Sequence, residues 1–459
     1  MNQDIETIVK NCRIFFETNK TKSYEFRISQ LLKLQEVLNQ NKKELLNALY
    51  SDLHKTEMEG FFSEFAIVRG ELKFAIKHLK KWIKPKRVPT SIAHFKSSSK
   101  IMYEPFGTVL IMSPWNYPLN LTLAPLVGAI AAGNCAVVKP SNYSPATSEV
   151  IKKIISENFP PEYISVITGG REENSKLLEQ RFDYIFFTGG TTVGKLVMEA
   201  AAKYVTPVTL ELGGKSPCVV EKSANLKVAA RRIAFGKYLN AGQTCVAPDY
   251  LLIQDEVKEK FIEELKEALK EFFPTETYLD MHLPHIVNEK HFDRLMGLIE
   301  GEKIITGGKG EKNRKFIEPT VLDNITFDSK IMQEEIFGPI LPVISFKTIE
   351  EAIKLIKSRE KPLASYLFTT DSNIEKKFLN EVSFGGGCIN DTIVHLASDH
   401  VTFPFGGVGF SGIGKYHGDE SFKVFSNAKS ILKKSNLIDI KLRYHPYSEK
   451  KLNIINKMM

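Results

Sequence analysis

An α/β fold with two doubly wound parallel sheets follows from three features of the 459-residue sequence. Beyond Met102, short apolar runs alternate with longer stretches of helical spacing, the rhythm of strands joined by crossover helices. That rhythm restarts after Glu211 and continues through residues 364–369, so two layers in tandem are expected. Glycines cluster where an apolar run gives way to a helical one, as at 189–194, and an open sheet presents its ligand-binding turns there. At roughly 150 residues per domain the length allows two or three domains, with a core that needs no staples.

In order, the chain opens with helices. Residues 28–49 place Leu31, Leu34, Leu38, Leu45 and Leu49 on one face, and 61–82 do the same with Phe65, Val68, Leu72, Ile76 and Leu79. Pro85, Pro89 and Ser97-Ser98-Ser99 then mark 84–100 as an excursion, either a linker or a hairpin. Strands are expected at 107–112, 135–138, 164–168 and 184–188. Helices are expected at 119–132, 146–158, 173–179 and 193–203. From Pro105 to Val138 there are 34 residues without a charge, enough to span a bilayer by length. Pro114, Pro118, Pro125, Asn116, Asn120 and Asn134 divide that stretch into a buried strand, helix and strand instead. After Glu211 the expected strands are 217–220, 250–253 and 364–369, and the expected helices 226–239, 257–272, 288–299 and 349–357. Gly406 to Gly418 carries six glycines in 13 residues between aromatic neighbours, which calls for unusual backbone angles. The tail after Lys429 is basic, and its last residues are too short and too charged for a membrane anchor.

The net charge is +8, but Lys and Glu are interspersed, which favours a solvated surface over a nucleic-acid footprint. A mildly basic surface suits an anionic cofactor. Cys12, Cys135, Cys218, Cys245 and Cys388 are scattered and form no Cys-x-x-Cys pair, so neither a disulfide frame nor a metal site is expected. A reducing, cytoplasmic setting follows. The N-terminal MNQDIETIVK mixes charges and lacks the apolar core of a secretory leader.

Chemistry concentrates in residues 205–247. Glu211 sits in Glu-Leu-Gly-Gly and Cys245 in Gly-Gln-Thr-Cys, each beside glycine, with a helical run between. A thiol nucleophile with a carboxylate base suits covalent catalysis followed by hydrolysis. A buried structural cysteine and a surface glutamate fit the same residues. The turn Gly189-Gly190-Thr191-Thr192-Val193-Gly194 offers phosphate its N–H groups and the positive end of a helix, or is a tight structural turn; it matches neither Gly-x-Gly-x-x-Gly nor a Walker loop. Lys139 ends a predicted inner strand, where it can meet a ribose or phosphate, or snorkel to water. Asn116, between Pro114 and Pro118, suits an oxyanion donor or an Asx-turn. Residues 333–339 join acid, aromatic and turn around Glu335 and Phe337, or are a helix end entering a strand.

Together these segments form a specific pattern. Pro-Trp-Asn-Tyr-Pro, Lys-Pro-Ser, the 189–194 turn, Glu-Leu-Gly-Gly-Lys, Gly-Gln-Thr-Cys and Glu-Glu-Ile-Phe-Gly-Pro occur in that order. The chain thereby resembles the NAD(P)-dependent aldehyde dehydrogenase superfamily over nearly its full length. Tyr-Glu-Pro-Phe-Gly (103–107), Cys-Val-Ala-Pro-Asp-Tyr (245–250), Ile-Asn-Asp-Thr (389–392) and Pro-Phe-Gly-Gly-Val-Gly (404–409) are similar to its class 3 branch of fatty and aromatic aldehyde enzymes. So are Lys-Tyr-His-Gly (415–418) and Arg-Tyr-His-Pro-Tyr (443–447).

The resemblance implies a Rossmann-type NAD(P)-binding domain (1–83 and 104–210) and a catalytic domain (211–415). It further implies a bridging β-flap used in oligomerisation (84–103 and 416–445), a tail (446–459) and a homodimer. It makes Cys245 the nucleophile, attacking as thiolate. The Asn116 amide and the Cys245 N–H become the oxyanion donors, and Glu211 the base that activates the hydrolytic water. Glu335 would bind the nicotinamide ribose with Phe337 nearby, Lys139 the adenosine ribose, and Gly189, Gly190, Thr191, Thr192, Val193 and Gly194 the pyrophosphate. Many relatives carry an acid where this chain has Asn142, so use of NADP alongside NAD is expected. Tyr117, with Phe61, Phe62, Phe65 and Phe405, either lines an apolar funnel for medium-chain or aromatic aldehydes or belongs to the core. Two rival readings are an acylating dehydrogenase that uses coenzyme A, which usually lacks the base, and a lens-type structural protein, against which the intact Cys245, Glu211, Asn116 and Glu335 speak.

Overall fold

The computed structural model describes residues 4–91, 94–396, 403–439 and 441–458. Parts of the expected bridging segment (92–93 and 440) and of the expected catalytic span (397–402) lie outside the described residues.

Two parallel-dominated sheets carry the fold. In the first, six strands run in the order Gly412–Ile413, Val208–Glu211, Tyr184–Thr188, Thr108–Met112, Cys135–Lys139 and Ile164–Val166. All neighbours are parallel except the 412–413 edge. From the central strand Thr108–Met112 the chain winds outward on one side through Ile164–Val166, then returns to continue through Tyr184–Thr188 on the other. This reversal leaves a crevice at the strands' carboxyl ends, where Ser113 and Gly189 emerge. The second sheet has seven strands in the order Lys303–Thr306, Thr320–Asp323, Ile340–Phe346, Tyr250–Gln254, Pro217–Val220, Ala364–Phe368 and Gly386–Ile389. Lys86–Val88, Ser97–Pro105 and Ser426–Lys434 form a separate antiparallel sheet, so the excursion is a hairpin arm joined by a C-terminal strand.

The apolar helix Asn120–Ala132 underlies the first sheet with all 13 residues buried. A helix with no polar face depends on its ends for charge compensation. Glu64 accepts the Leu119 and Asn120 N–H groups at 2.8 and 3.2 Å. At the other end, Arg27 donates to Ala131 O at 3.2 Å, and Gly133 leaves the helix at φ 92°.

The sequence pattern misses several boundaries. The helix expected over 28–49 is two, Tyr24–Gln40 and Lys42–Leu53, because Asn41 turns its amide onto Val37 O at 2.8 Å and stops the first. The helix expected over 61–82 begins with a π-helical stretch, Phe61–Phe65, before Ala66–Trp82. Strand Gly412–Ile413, placed within the expected catalytic span, instead pairs with Glu211 and Leu210 in the first sheet. Among the described residues no helix is long and apolar enough to cross a membrane, and no His/Cys/Asp/Glu group has metal-binding geometry.

Candidate active site

The helix Leu226–Tyr238 delivers the thiol. Just past its end, Asn240, Ala241 and Gly242 adopt left-handed angles, with φ of 52°, 50° and 71°. A side chain at Gly242 would lie 2.2 Å from Gly338 O, so that turn requires glycine. Gln243, wholly buried, then locks the loop. Its amide donates to Asn240 O and His285 O at 3.1 and 3.0 Å and accepts the Val287 N–H at 3.0 Å. Cys245 follows, half-buried.

Asn116 reaches this loop from the end of strand Thr108–Met112. Its Nδ2 donates to Gln243 O at 3.0 Å, and its Oδ1 is buried without a hydrogen-bond partner among the described residues. An amide carries two N–H donors, so one remains for a ligand. Beside it, the Tyr117 and Thr244 hydroxyls lie 2.6 Å apart, tying the two loops together one residue from the thiol.

Glu211 ends its strand with its side chain 3% exposed and neither carboxylate oxygen hydrogen-bonded among the described residues. Burial pushes its carboxyl well above the usual range, and Lys415 opposes that push. The Lys415 ammonium donates to Gly385 O and Gly406 O at 3.0 and 2.9 Å. A side chain at Gly406 would sit 2.8 Å from Glu211 Oε1, so the glycine-rich segment packs directly on the carboxylate. Glu335 lies on the other side. A side chain at Gly213 would sit 2.1 Å from its Oε2, and the Gly214 N–H donates to it. Burial, then Asp249, pushes Glu335 up to about 8. Burial raises the Cys245 thiol as well, followed by the fields of Glu335 and Glu211. The structure therefore brings all three groups into one cleft, where burial favours the neutral thiol over the thiolate.

Strand Tyr184–Thr188 runs through Gly189 and Gly190 into helix Thr191–Ala202, whose N-terminus has no side-chain cap. A side chain at Gly190 would meet nothing within 4 Å, so the space ahead of the helix is open. Thr192 and Val193 are exposed in its first turn, and the Thr191 hydroxyl donates to Phe410 O at 3.4 Å. Gly194 lets the helix lie on its neighbour, since a side chain there would be 2.7 Å from Leu212 Cδ2. Lys139 is 3% exposed, with its ammonium on Pro140 O at 2.8 Å and Gly169 O at 2.7 Å. Burial lowers it to about 8. Phe337, at φ 52°, packs edge-on against Trp115 at 5.4 Å. An open helix N-terminus, a desolvated lysine and a half-buried carboxylate supply the donors and acceptor that a dinucleotide's phosphates and ribose hydroxyls require.

A cavity of about 240 Å³ opens beside Cys245 and Thr244. Tyr117, Phe62 and Phe405 line it, as the funnel reading expects. Phe61 and Phe65 do not. Phe65 is buried in the core, and Phe61 stacks on it at 5.8 Å beneath the Lys42 ammonium. The π-helical stretch presents Phe62 and Ser63 to the cavity in their place. Sequence reasoning also missed Tyr416, buried, lining the cavity and within the electrostatic reach of Glu211 and Cys245, and Lys415; both lie in the Lys-Tyr-His-Gly motif.

The aldehyde dehydrogenase family model matches residues 1–431. The chain is 47% identical over 448 residues to the 4,4'-diaponeurosporen-aldehyde dehydrogenase of Staphylococcus aureus, covering 97% of each. It is 44% identical to the dimeric, NADP-preferring aldehyde dehydrogenase of Canis lupus familiaris, covering 96% of this chain and 98% of that one. Among solved structures, the substrate-bound Staphylococcus aureus AldH superposes with a TM-score of 0.97 at 46% identity over the whole of both chains. The NAD+ complex of Staphylococcus aureus betaine aldehyde dehydrogenase does so at 0.84 and 28% identity, over 95% of this chain and 88% of that one. With the thiol and both carboxylates on one crevice of this fold, the chain belongs to the aldehyde dehydrogenase family, in its class 3 branch, and is an NAD(P)-dependent enzyme that oxidises aldehydes.

Proposed function

We propose that the substrates are medium-chain aliphatic or aromatic aldehydes, oxidised to carboxylic acids through a thioester on Cys245. The observation that supports this reading most is the meeting of Cys245 with Glu211 and with the loop that Asn116 bonds, beside an apolar cavity that Cys245 lines. The Cys245 S–H bond breaks as sulfur adds to the aldehyde carbon, and the proton leaves through water to solvent. A carboxylate whose pKa burial has raised is the stronger base when ionised, which suits Glu211 to the later deprotonation of water. The free Nδ2 donor of Asn116 and the Cys245 N–H hold the developing oxyanion. Bound NAD(P)+ supplies the acceptor for the hydride that leaves when the carbonyl re-forms. Glu211 then removes a proton from water, the resulting hydroxide attacks the thioester, and the C–S bond breaks to free the acid and restore the thiol.

In this reading Lys139 and Glu335 bind the two riboses, Gly189 to Gly194 the pyrophosphate, and Phe337 packs near the nicotinamide. Residues 1–83 and 104–210 form the cofactor domain, whose sheet also takes the 412–413 edge strand, and the rest of 211–415 the catalytic one, with the three-stranded sheet bridging two copies in a cytoplasmic homodimer. Steady-state kinetics over an aldehyde series with NAD and NADP test the reading, together with intact-mass detection of an acyl adduct on the wild type and on Cys245→Ser. An adduct on the wild type alone, with the free acid as product whether or not coenzyme A is added, is the expected result. Full turnover by Cys245→Ser would overturn it.

A further inference from the structure

The mechanism above leaves a wholly buried ion pair unused. Lys55 and Glu64 are both fully buried, with Nζ 2.6 Å from Oε1. Every direction of the pair is committed. Lys55 also donates to the backbone oxygen of Asn116 at 2.8 Å and lies 4.0 Å over the Tyr117 ring. The second oxygen of Glu64 accepts the N–H groups of Leu119 and Asn120. The short stretch from Asn116 to Asn120 is thus gripped at one end by the cation and at the other by the anion. Asn240, from the turn that carries the nucleophile, donates its Nδ2 to the same Asn116 oxygen at 2.8 Å, and its own N–H goes to Glu59 at 2.8 Å. The pair therefore touches the backbone of the oxyanion amide and, through that one oxygen, the nucleophile's loop.

Stability alone does not account for such a pair, because desolvating two charges offsets most of their attraction and apolar residues of similar volume do as well or better. Geometry does. We infer that Lys55 and Glu64 are positioning residues that fix the Asn116 side chain against Cys245, so that its free N–H is aimed before the aldehyde arrives. This rests on the proposed role of Asn116. A donor displaced by about 1 Å loses on the order of 100-fold in rate.

The test is a double-mutant cycle on the full-length enzyme. Lys55→Met is expected to lower kcat about 10- to 100-fold while aldehyde KM and cofactor Kd stay within about threefold. Alkylation of Cys245 by iodoacetamide should keep its wild-type rate. In an Asn116→Ala background, Lys55→Met should change kcat by less than about twofold, because the group it aims is gone. If Lys55→Met does not fold, Glu64→Gln carries the same cycle, since it keeps the volume and one oxygen for the helix N-terminus. Equal loss in both backgrounds, or KM and Kd rising together with the fall in kcat, would overturn the inference. Wild-type kcat in Asn116→Ala alone would instead overturn the oxyanion reading on which it rests.

Discussion

Replacing Glu211 by Gln separates chemistry from folding at this site. The side chain is 3% exposed and neither oxygen has a hydrogen-bond partner among the described residues, so the carboxylate contributes no bond that Gln would break. Gln is isosteric and neutral, and it leaves its polar atoms as unpartnered as those of the carboxyl. A buried donor or acceptor left unpaired costs about 1–3 kcal/mol, incurred in both forms, and the difference should stay within about 1 kcal/mol. The chemical loss is larger. Without a general base the hydrolytic step should slow by about 10²–10⁴-fold. Thermal unfolding should therefore be nearly unchanged while steady-state turnover collapses. Rapid mixing with aldehyde and NAD should give a burst of about one equivalent of NADH per site, followed by a slow phase. Intact mass should show the enzyme acylated. Turnover within about threefold of wild type, or a slow phase without an accumulated acyl group, would refute the assignment of the base.

Asn116→Ala should lower kcat by about 10²–10³-fold in stopped-flow and steady-state assays, with cofactor binding intact. Because burial raises both Glu211 and Cys245, their reactive ionised forms grow as pH rises, so kcat/KM should climb from neutral into alkaline solution. Lys415 is the charge that favours ionised Glu211, and in Lys415→Gln that rising limb should move to higher pH. Asn142 is exposed near Gly170 at the Lys139 end of the crevice. Kinetics with each cofactor should show NADP within about 10³-fold of NAD, roughly 4 kcal/mol, and Asn142→Glu should widen the gap against NADP by charge repulsion. Phe62→Ala should lower kcat/KM for aromatic aldehydes by about tenfold, the loss of about 1.4 kcal/mol of apolar contact, with little effect on acetaldehyde.

Much of the framework was legible because its signals are local. The strand Tyr184–Thr188 and helix Ile349–Lys357 fall where the apolar runs place them, bounded by glycine or by a capping threonine. Strand Ile340–Phe346 lies where 333–339 reads as entering a strand, although Pro342 argues against an interior position. Pro342 lies just outside the pairing with Tyr250–Gln254, which begins at Val343, so its missing N–H removes no bond on that side. Cys245 and Glu211 were readable from the glycines that their sharp turns require. Lys55 and Glu64 were not. Each sits in a segment of amphipathic look, and what makes the pair matter is contact with residues 55 or more positions away.

The strand that carries Glu211 is closed on its outer side by Gly412 and Ile413, and the Leu212 N–H is taken by Ser411 O. That edge is supplied some two hundred residues after the strand itself leaves the ribosome. A nascent chain can assemble its early helices and most of the first sheet before then, yet hydrolytic competence has to wait for residues 411–413. A chain cut after Ile389 but ahead of Ser411 keeps the residues assigned to the dinucleotide and lacks the edge beside Glu211, so it should lose release of acid first.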